Sequence, residues 1–520
     1  MLNPSTPSLP QLENEKTARY RNPILFADYS DPDAIRVGND FWMTSSSFCN
    51  VPGLPILHSK DLINWELVNH ALPHLVPEHH YSEHRAGCGV WAPAIRFHNG
   101  TFWIFYPDPD FGIYVTYTED PRGQWSAPYL IKAGEGLIDP CPLWDGDKAY
   151  LIHGWAKSRS GICNRLTLHE MSLDATRLLD DGQVVIDGDR DTEWNTIEGP
   201  KLYKRDGWYW IFAPADGVAT GCQTVFRSKE IFGPYEGRKV LEQGSTPING
   251  PHQGAWVDTP EGEHWFLHFQ ENQPYGRVVH LQPMQWREDG WPVMGLDPQN
   301  TGIGEPVIDH EAPNLSQDSN YRVPQSDAFS KPELGRQWQW QANACSDWST
   351  IDPERGTLRL NCMPRSPKES FWKTGPLLLQ KVTGPQIDCA VDLQFCPQSE
   401  GDVAGFIVFG YNYFWIGLES TGTQVKLVMK QCLDANKKGI ETVLSESQYP
   451  SSQLRLHFEM LPGNACQFSY LLNDGSVQPF GPEFQAKQSK WVGAKFGLFA
   501  SCTSDDPSNG YATFKNLIVK

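Results

Sequence analysis

Long apolar runs are missing from this chain. No stretch of about 18 apolar residues occurs, so nothing reads as a helix that crosses a membrane. Closely spaced cysteines are missing too. The 12 cysteines are scattered, none nearer than Cys389 and Cys396, and no C-x-x-C pair or zinc-ligand spacing appears. They read as small buried thiols in a reducing cytoplasm. An excess of basic residues is also lacking: 43 Lys and Arg stand against 62 Asp and Glu, a formal net charge of −19. That balance argues against nucleic acid and against an anionic membrane surface as partners. The first 25 residues show no basic start followed by an apolar run, so no secretory signal is read. The expected location is cytoplasmic, with a secreted mature form trimmed of its signal as the alternative. Segments of helical period are scarce as well, which leaves strands as the main material.

What is present is aromatic and turn-rich. Among 520 residues there are 20 Trp, 18 Tyr and 25 Phe, with 45 Gly and 41 Pro spread throughout. A chain this long exceeds one ordinary core and implies two domains. Such aromatic content fills large cores and also supplies flat platforms for stacking on sugar rings, and with the acidic charge a neutral substrate fits best. A unit of strand, tight turn and strand then recurs five times. It runs Asp31-Pro-Asp-Ala-Ile-Arg-Val, Gly38-Asn39-Asp40, Phe41-Trp42, and again from Trp91 through Asn99-Gly100 to Phe102-Trp103. Asp139 opens the third unit, with Asp145-Gly146 as its turn. Glu198 opens the fourth, with Asp206-Gly207, and His252 the fifth, with Glu261-Gly262. Asn-Gly and Asp-Gly suit a type I′ hairpin, which needs positive φ at both central residues. A spacing of about 50 residues with this content is the mark of a β-propeller.

The expected fold is therefore all-β: a five-bladed β-propeller over residues 21–295, a linker over 296–332 rich in Pro, Asn, Ser, Asp and Gly, and a β-sandwich over 333–520. In a propeller the unit openers meet around the axis. Three of the five are carboxylates, each followed by Pro or Gly-Pro: Asp31-Pro32, Asp139-Pro140 and Glu198-Gly199-Pro200. One such acid starts a turn as readily as it serves a site. Three at blade spacing point to acid–base work by paired carboxyl groups, the arrangement that glycosidic cleavage uses.

These same residues carry a resemblance. Tyr29-Ser-Asp-Pro-Asp-Ala-Ile-Arg-Val-Gly38, Ser47-Phe48 with Pro52-Gly53, His58 to Trp65-Glu66, Gly89-Val-Trp91-Ala-Pro93, Ile138-Asp139-Pro140, Glu198-Gly199-Pro200, Gly250-Pro-His252-Gln-Gly254 and Gly276-Arg277 follow one another as in glycoside hydrolase family 43. The C-terminal region is similar to the sandwich attached to the family's β-xylosidase-like members. The resemblance implies Asp31 as general base, Glu198 as general acid and Asp139 as the residue that tunes the acid. It implies inversion, in which carboxyl groups ~6.5–9.5 Å apart leave room for water. It further implies that Phe48, Trp91 and Trp155 wall the terminal-sugar subsite and that Arg277 bonds the sugar hydroxyls. His252 is a candidate ligand of a structural calcium, although a lone imidazole suits that ion poorly; a neutral histidine bonded to channel waters is the alternative. No cofactor is required for the chemistry.

The expected activity is exo release of terminal α-L-arabinofuranose or β-D-xylose from plant cell-wall oligosaccharides. An exo-galactosidase of the same fold and a non-catalytic carbohydrate-binding propeller are the alternatives. The retaining sucrose-splitting propellers are set aside, because Tyr29-Ser30 stands before Asp31 where their Asn-Asp-Pro-Asn start would be. Trp338, Trp340, Trp348 and Trp372 are candidate sugar platforms in the sandwich, and residues 501–508 are the candidate loop closing the pocket rim. Oligomeric state is left open.

Overall fold

The computed structural model describes residues 18–520 apart from 191–193, 317–321, 366–369, 438, 473 and 505. Five four-stranded antiparallel sheets follow in sequence, each a meander of neighbouring strands. Their innermost strands are β1 (Asp33–Val37), β2 (Ala94–His98), β3 (Leu137–Asp145), β4 (Lys201–Arg205) and β5 (His252–Asp258). Each opens a hairpin, and two of the five have the left-handed pair of a type I′ turn. At Asn99-Gly100 φ is 50° and 79°, and at Asp206-Gly207 it is 52° and 71°. At Gly38-Asn39 and Gly146-Asp147 only the glycine has positive φ, Asp145 being the last residue of its strand, and the fifth turn is a longer loop between Asp258 and His264. Apolar residues between blades fill the propeller body, as Ile95, Ile104 and Leu54 do between the first two. The architecture is a five-bladed β-propeller followed by a β-sandwich.

The ring is clasped from outside the blades. Arg19–Arg21 pairs antiparallel with Asp309–Glu311, and Leu25 bridges to Val279 of the fifth blade. The Asn22 amide donates to the carbonyls of Leu281 and Val307, both at 2.8 Å. Part of the segment read as a linker is thus packed structure, and Val307 is buried in it.

The sandwich consists of two eight-stranded sheets around one core. It is docked on the propeller by backbone as well as side chains. Trp340 N–H and Val51 N–H each donate to the other's carbonyl, Ala494 N–H donates to Pro274 O at 2.7 Å, and Lys495 donates to the Asn50 amide oxygen. Trp338, Trp340 and Trp348 are 2%, 6% and 6% exposed. They are core rather than platforms, and Trp372 stacks on Phe409 and Tyr411. Among the described residues, no helix is long and apolar enough to cross a membrane.

Candidate active site

A cavity of about 360 Å³ opens at one end of the propeller axis, and all five unit openers, Asp31, Trp91, Asp139, Glu198 and His252, line it. Backbone geometry turns several of them inward. Asp31 sits just before β1 with φ 55°, a strained value for a non-glycine residue and one that clusters at functional sites. Its carboxylate accepts from Ser30 Oγ at 2.7 Å, Ser46 Oγ at 2.5 Å and Arg277 Nη1 at 3.1 Å. Asp139 has φ 56° and lies where the register of β3 slips between Ile138 and Cys141. Such a bulge re-aims a side chain that strict alternation would bury between strands. Its Oδ2 accepts the Gly199 N–H at 2.8 Å. Gly199 itself has φ 59°, and a Cβ there would meet the Gln253 side chain at 2.5 Å, so glycine is needed at this close approach.

Glu198 is enclosed by the site, with 26% of its side chain still open to the cavity. Burial first, then the negative charge of Asp139, push its carboxyl well above the usual range; Asp31 adds to this and Arg277 opposes it. Asp139 is raised too, by burial and by Asp31, against the Gly199 hydrogen bond and the charge of Lys201. His252 Nε2 lies 3.3 Å from Glu198 Oε1. Burial, with Arg277 and His268 adding to it, pushes the imidazole down to about 3, so this contact joins neutral groups and is no ion pair.

The walls are aromatic. Phe48, itself at φ 50°, stands 6.3 Å from Trp91, ring centre to ring centre. Trp91 donates to Gly87 O at 3.0 Å. Arg277 lies beneath Asp31 and over the Phe269 ring at 4.8 Å. Trp155 does not line the cavity: its indole donates to Thr167 Oγ1 at 2.9 Å and packs against His153. Successive strand residues face opposite ways. Gly154 takes the Asp139 side, where a Cβ would lie 3.6 Å from Oδ2, and Trp155 therefore points away.

The second domain does reach the site, through a segment other than 501–508. Trp491 lines the cavity. It meets Trp91 edge-on at 6.1 Å and sits 5.8 Å from the Arg277 guanidinium carbon. Its φ is 64° and it stays 39% exposed. The loop is anchored by Tyr411 N–H to Gln488 O and Ser489 N–H to Val492 O. Ser501 and Cys502 instead end a strand inside the sandwich, paired with Val403 and Pro364. Ser30, Ser46, Gln253 and Trp491 were given no role from the sequence. Only Ser30 and Gln253, as neighbours of openers, carried any signal there.

A calcium at His252 fits these residues poorly. The ion takes six to eight oxygen ligands, and among the described residues no group of three or more His, Cys, Asp or Glu is placed to hold a metal.

Acid–base cleavage of a glycosidic bond calls for paired carboxyl groups in a concave, aromatic-walled setting; fold and site together define the class, a glycoside hydrolase. Residues 20–292 match the model of glycosyl hydrolases family 43, and residues 326–520 match that of the beta xylosidase C-terminal concanavalin A-like domain. The chain belongs to glycosyl hydrolases family 43. It is 36% identical to a putative beta-xylosidase of Xylanibacter ruminicola, over 93% of this chain and 86% of that one. It is 31% identical to a beta-xylosidase of Formosa agariphila, over 94% and 88%. Its fold is similar to that of a family 43 protein of Bacillus licheniformis, with TM-score 0.82 and 25% identity, over 96% of this chain and 99% of that one.

Proposed function

We propose that this protein releases single β-D-xylose units from the ends of oligosaccharides by inversion, and accepts terminal α-L-arabinofuranose as a second substrate. Asp31 takes a proton from a water that attacks the anomeric carbon. Glu198 gives its proton to the departing oxygen as the glycosidic bond breaks, and Asp139 holds Glu198 in its protonated form. Each turnover leaves Asp31 protonated and Glu198 ionised, and exchange with solvent restores both. The observation that carries this reading is the raised Glu198 carboxyl across one cavity from a carboxylate held by Arg277 and two serines. The names of the two relatives favour xylose over the other sugars. Aryl β-xyloside, α-L-arabinofuranoside and β-galactoside test it together. Xyloside is expected to turn over fastest; preference for galactoside would overturn the pentose, and turnover of none would leave a binding propeller.

The proton on Glu198 sets a pH signature. A group with a raised pKa keeps its proton above the ordinary carboxyl range and loses it only as pH climbs through the raised value. The rate is therefore expected to persist well above pH 4.5, the ordinary glutamate value, and to fall on an alkaline limb. A pH profile of kcat/KM checks this, and a rate already falling by pH 5 would contradict it.

Trp491 accounts for exo action in this reading, since it closes one side of the cavity and leaves room for a chain end. Trp491→Ala is expected to raise KM about tenfold, equivalent to ~1.4 kcal/mol of lost binding, with kcat changed much less. It is also expected to relax the limit on internal cleavage. An unchanged KM for xylobiose would remove the sandwich from substrate binding.

A further inference from the structure

Two loops meet at Asp31, and each is tied to the second domain by a lysine. The first loop, residues 28–31, ends in the carboxylate itself. Tyr29 N–H donates to Arg277 O at 3.1 Å, and Arg277 N–H donates to Asp28 Oδ1 at 2.9 Å. The second loop, residues 46–50, lies against the first. Ser46 N–H donates to Ser30 O at 2.9 Å, and Ser46 Oγ donates to the Asp31 carboxylate at 2.5 Å. The chain then passes through Phe48, which walls the cavity, to Asn50, whose amide donates to Ser47 O at 2.7 Å. Asp31 and Phe48 both hold left-handed φ, 55° and 50°. Non-glycine backbone in that region persists only where its surroundings over-determine it.

Part of those surroundings comes from the sandwich. Its strands Leu378–Lys381 and Lys495–Cys502 pair antiparallel, with Lys381 opposite Lys495. Lys381 donates to Asp28 O at 2.5 Å and lies over the Tyr29 ring, 3.8 Å from its centre. Lys495 is 4% exposed and donates to Asn50 Oδ1. Backbone contacts lead up to the first of these points, for Ala27 bridges to Thr383 and Gly384 N–H donates to Phe26 O at 2.8 Å. Neither lysine lines the cavity. Burial pushes both ammonium groups below the ordinary lysine range, and at Lys495 the charge of Lys381 adds to it. Asp28 is an acid whose charge reaches both, and its carboxylate also accepts from Arg277. An apolar pair would fill this seam without desolvating two like charges. What it could not do is hold a carbonyl oxygen of one loop and an amide oxygen of the other.

We propose that Lys381 and Lys495 are positioning residues that fix the two loops around Asp31, so that the sandwich sets the aim of the base as well as the rim of the cavity. They touch no substrate. Lys381 acts on the backbone three residues before the carboxylate. Lys495 acts through Asn50 and Ser47 on the loop that carries Ser46 and Phe48. The inference rests on the role given above to Asp31. Without either lysine the carboxylate and its water lose their alignment, whereas Trp491 on the same domain bears on binding.

The test uses Lys381→Met, Lys381→Arg and Lys495→Met, with Lys381→Met also placed in the Asp31→Asn background, assayed on xylobiose and on dinitrophenyl β-xyloside. Lys381→Met is expected to lower kcat about tenfold, a share of the hundredfold that ~1 Å of misplacement costs. The loss should be equal on the two substrates, since water must be activated whichever group leaves, and KM should hold. Lys381→Arg should restore most of it, because a guanidinium can also donate to Asp28 O and lie over the Tyr29 ring. Lys495→Met should lower kcat to a similar degree and raise KM as well, since its loop carries Phe48. In the Asp31→Asn background, where no base is left to aim, Lys381→Met should change kcat by less than about twofold, the mark of strong coupling. The same tenfold loss in that background, or a rise in KM with kcat unchanged, would overturn the proposal in favour of a packing or docking role. Unchanged kcat in either lysine variant would overturn it too. Should Lys381→Met fail to accumulate, Lys381→Gln against Lys381→Arg carries the same comparison. A fault in the parent reading shows separately, as near-normal turnover by Asp31→Asn alone, and that result would overturn the role of the lysines as well.

Discussion

Glu198→Gln is expected to reduce kcat on xylobiose about a thousandfold, within the range that general acid catalysis supplies, and to spare dinitrophenyl β-xyloside. Xylose as a leaving group is a poor alkoxide and must receive a proton as it departs. Dinitrophenolate is stable as an anion and needs none. The amide keeps the size of the carboxyl and its place beside His252, which is neutral and loses no charge partner. The alkaline limb of the pH profile should vanish with the carboxyl. Steady-state assays on both substrates check this, and a uniform loss on the two would mean that Glu198 serves binding or packing instead.

Asp31→Asn should behave differently, and the difference separates the two roles. Activation of water is needed whatever leaves, so the expected loss is about ten-thousandfold on both substrates. Ser30 and Ser46 can still bond the asparagine oxygen, since both now donate to the carboxylate. The Arg277 guanidinium remains held by Ser30 at 2.9 Å and by the Phe269 ring. Near-normal turnover of the activated substrate would remove Asp31 from the role of base.

The propeller was legible because its repeat is local. Each hairpin writes its own turn, and Asn99-Gly100 or Asp206-Gly207 can be read without knowing what lies beside them. The convergence of the openers follows from the repeat, and all five line the cavity. What escaped depends on tertiary contact or on backbone detail. The bulge that aims Asp139 and the left-handed φ of Asp31 and Phe48 have no signature in residue type. Trp155 was misplaced because nothing in Gly154-Trp155 says which of the two faces Asp139; strand alternation gave that place to the glycine. Trp491 comes from a domain whose docking the sequence does not encode in any short motif, so residues 501–508 were no better marked than 488–493. The tryptophans of the sandwich illustrate the same limit. In a chain this aromatic, a core ring and a sugar platform look alike until the sheets are packed.

The central claim, two carboxyl groups acting on opposite faces of the sugar, is tested most directly by the anomer released first. Hydrolysis of an aryl β-xyloside followed by proton NMR from the first seconds is predicted to show α-xylose, with the β anomer rising later by mutarotation. Initial release of β-xylose would mean a retaining, double-displacement reaction and would contradict the roles given to Asp31 and Glu198.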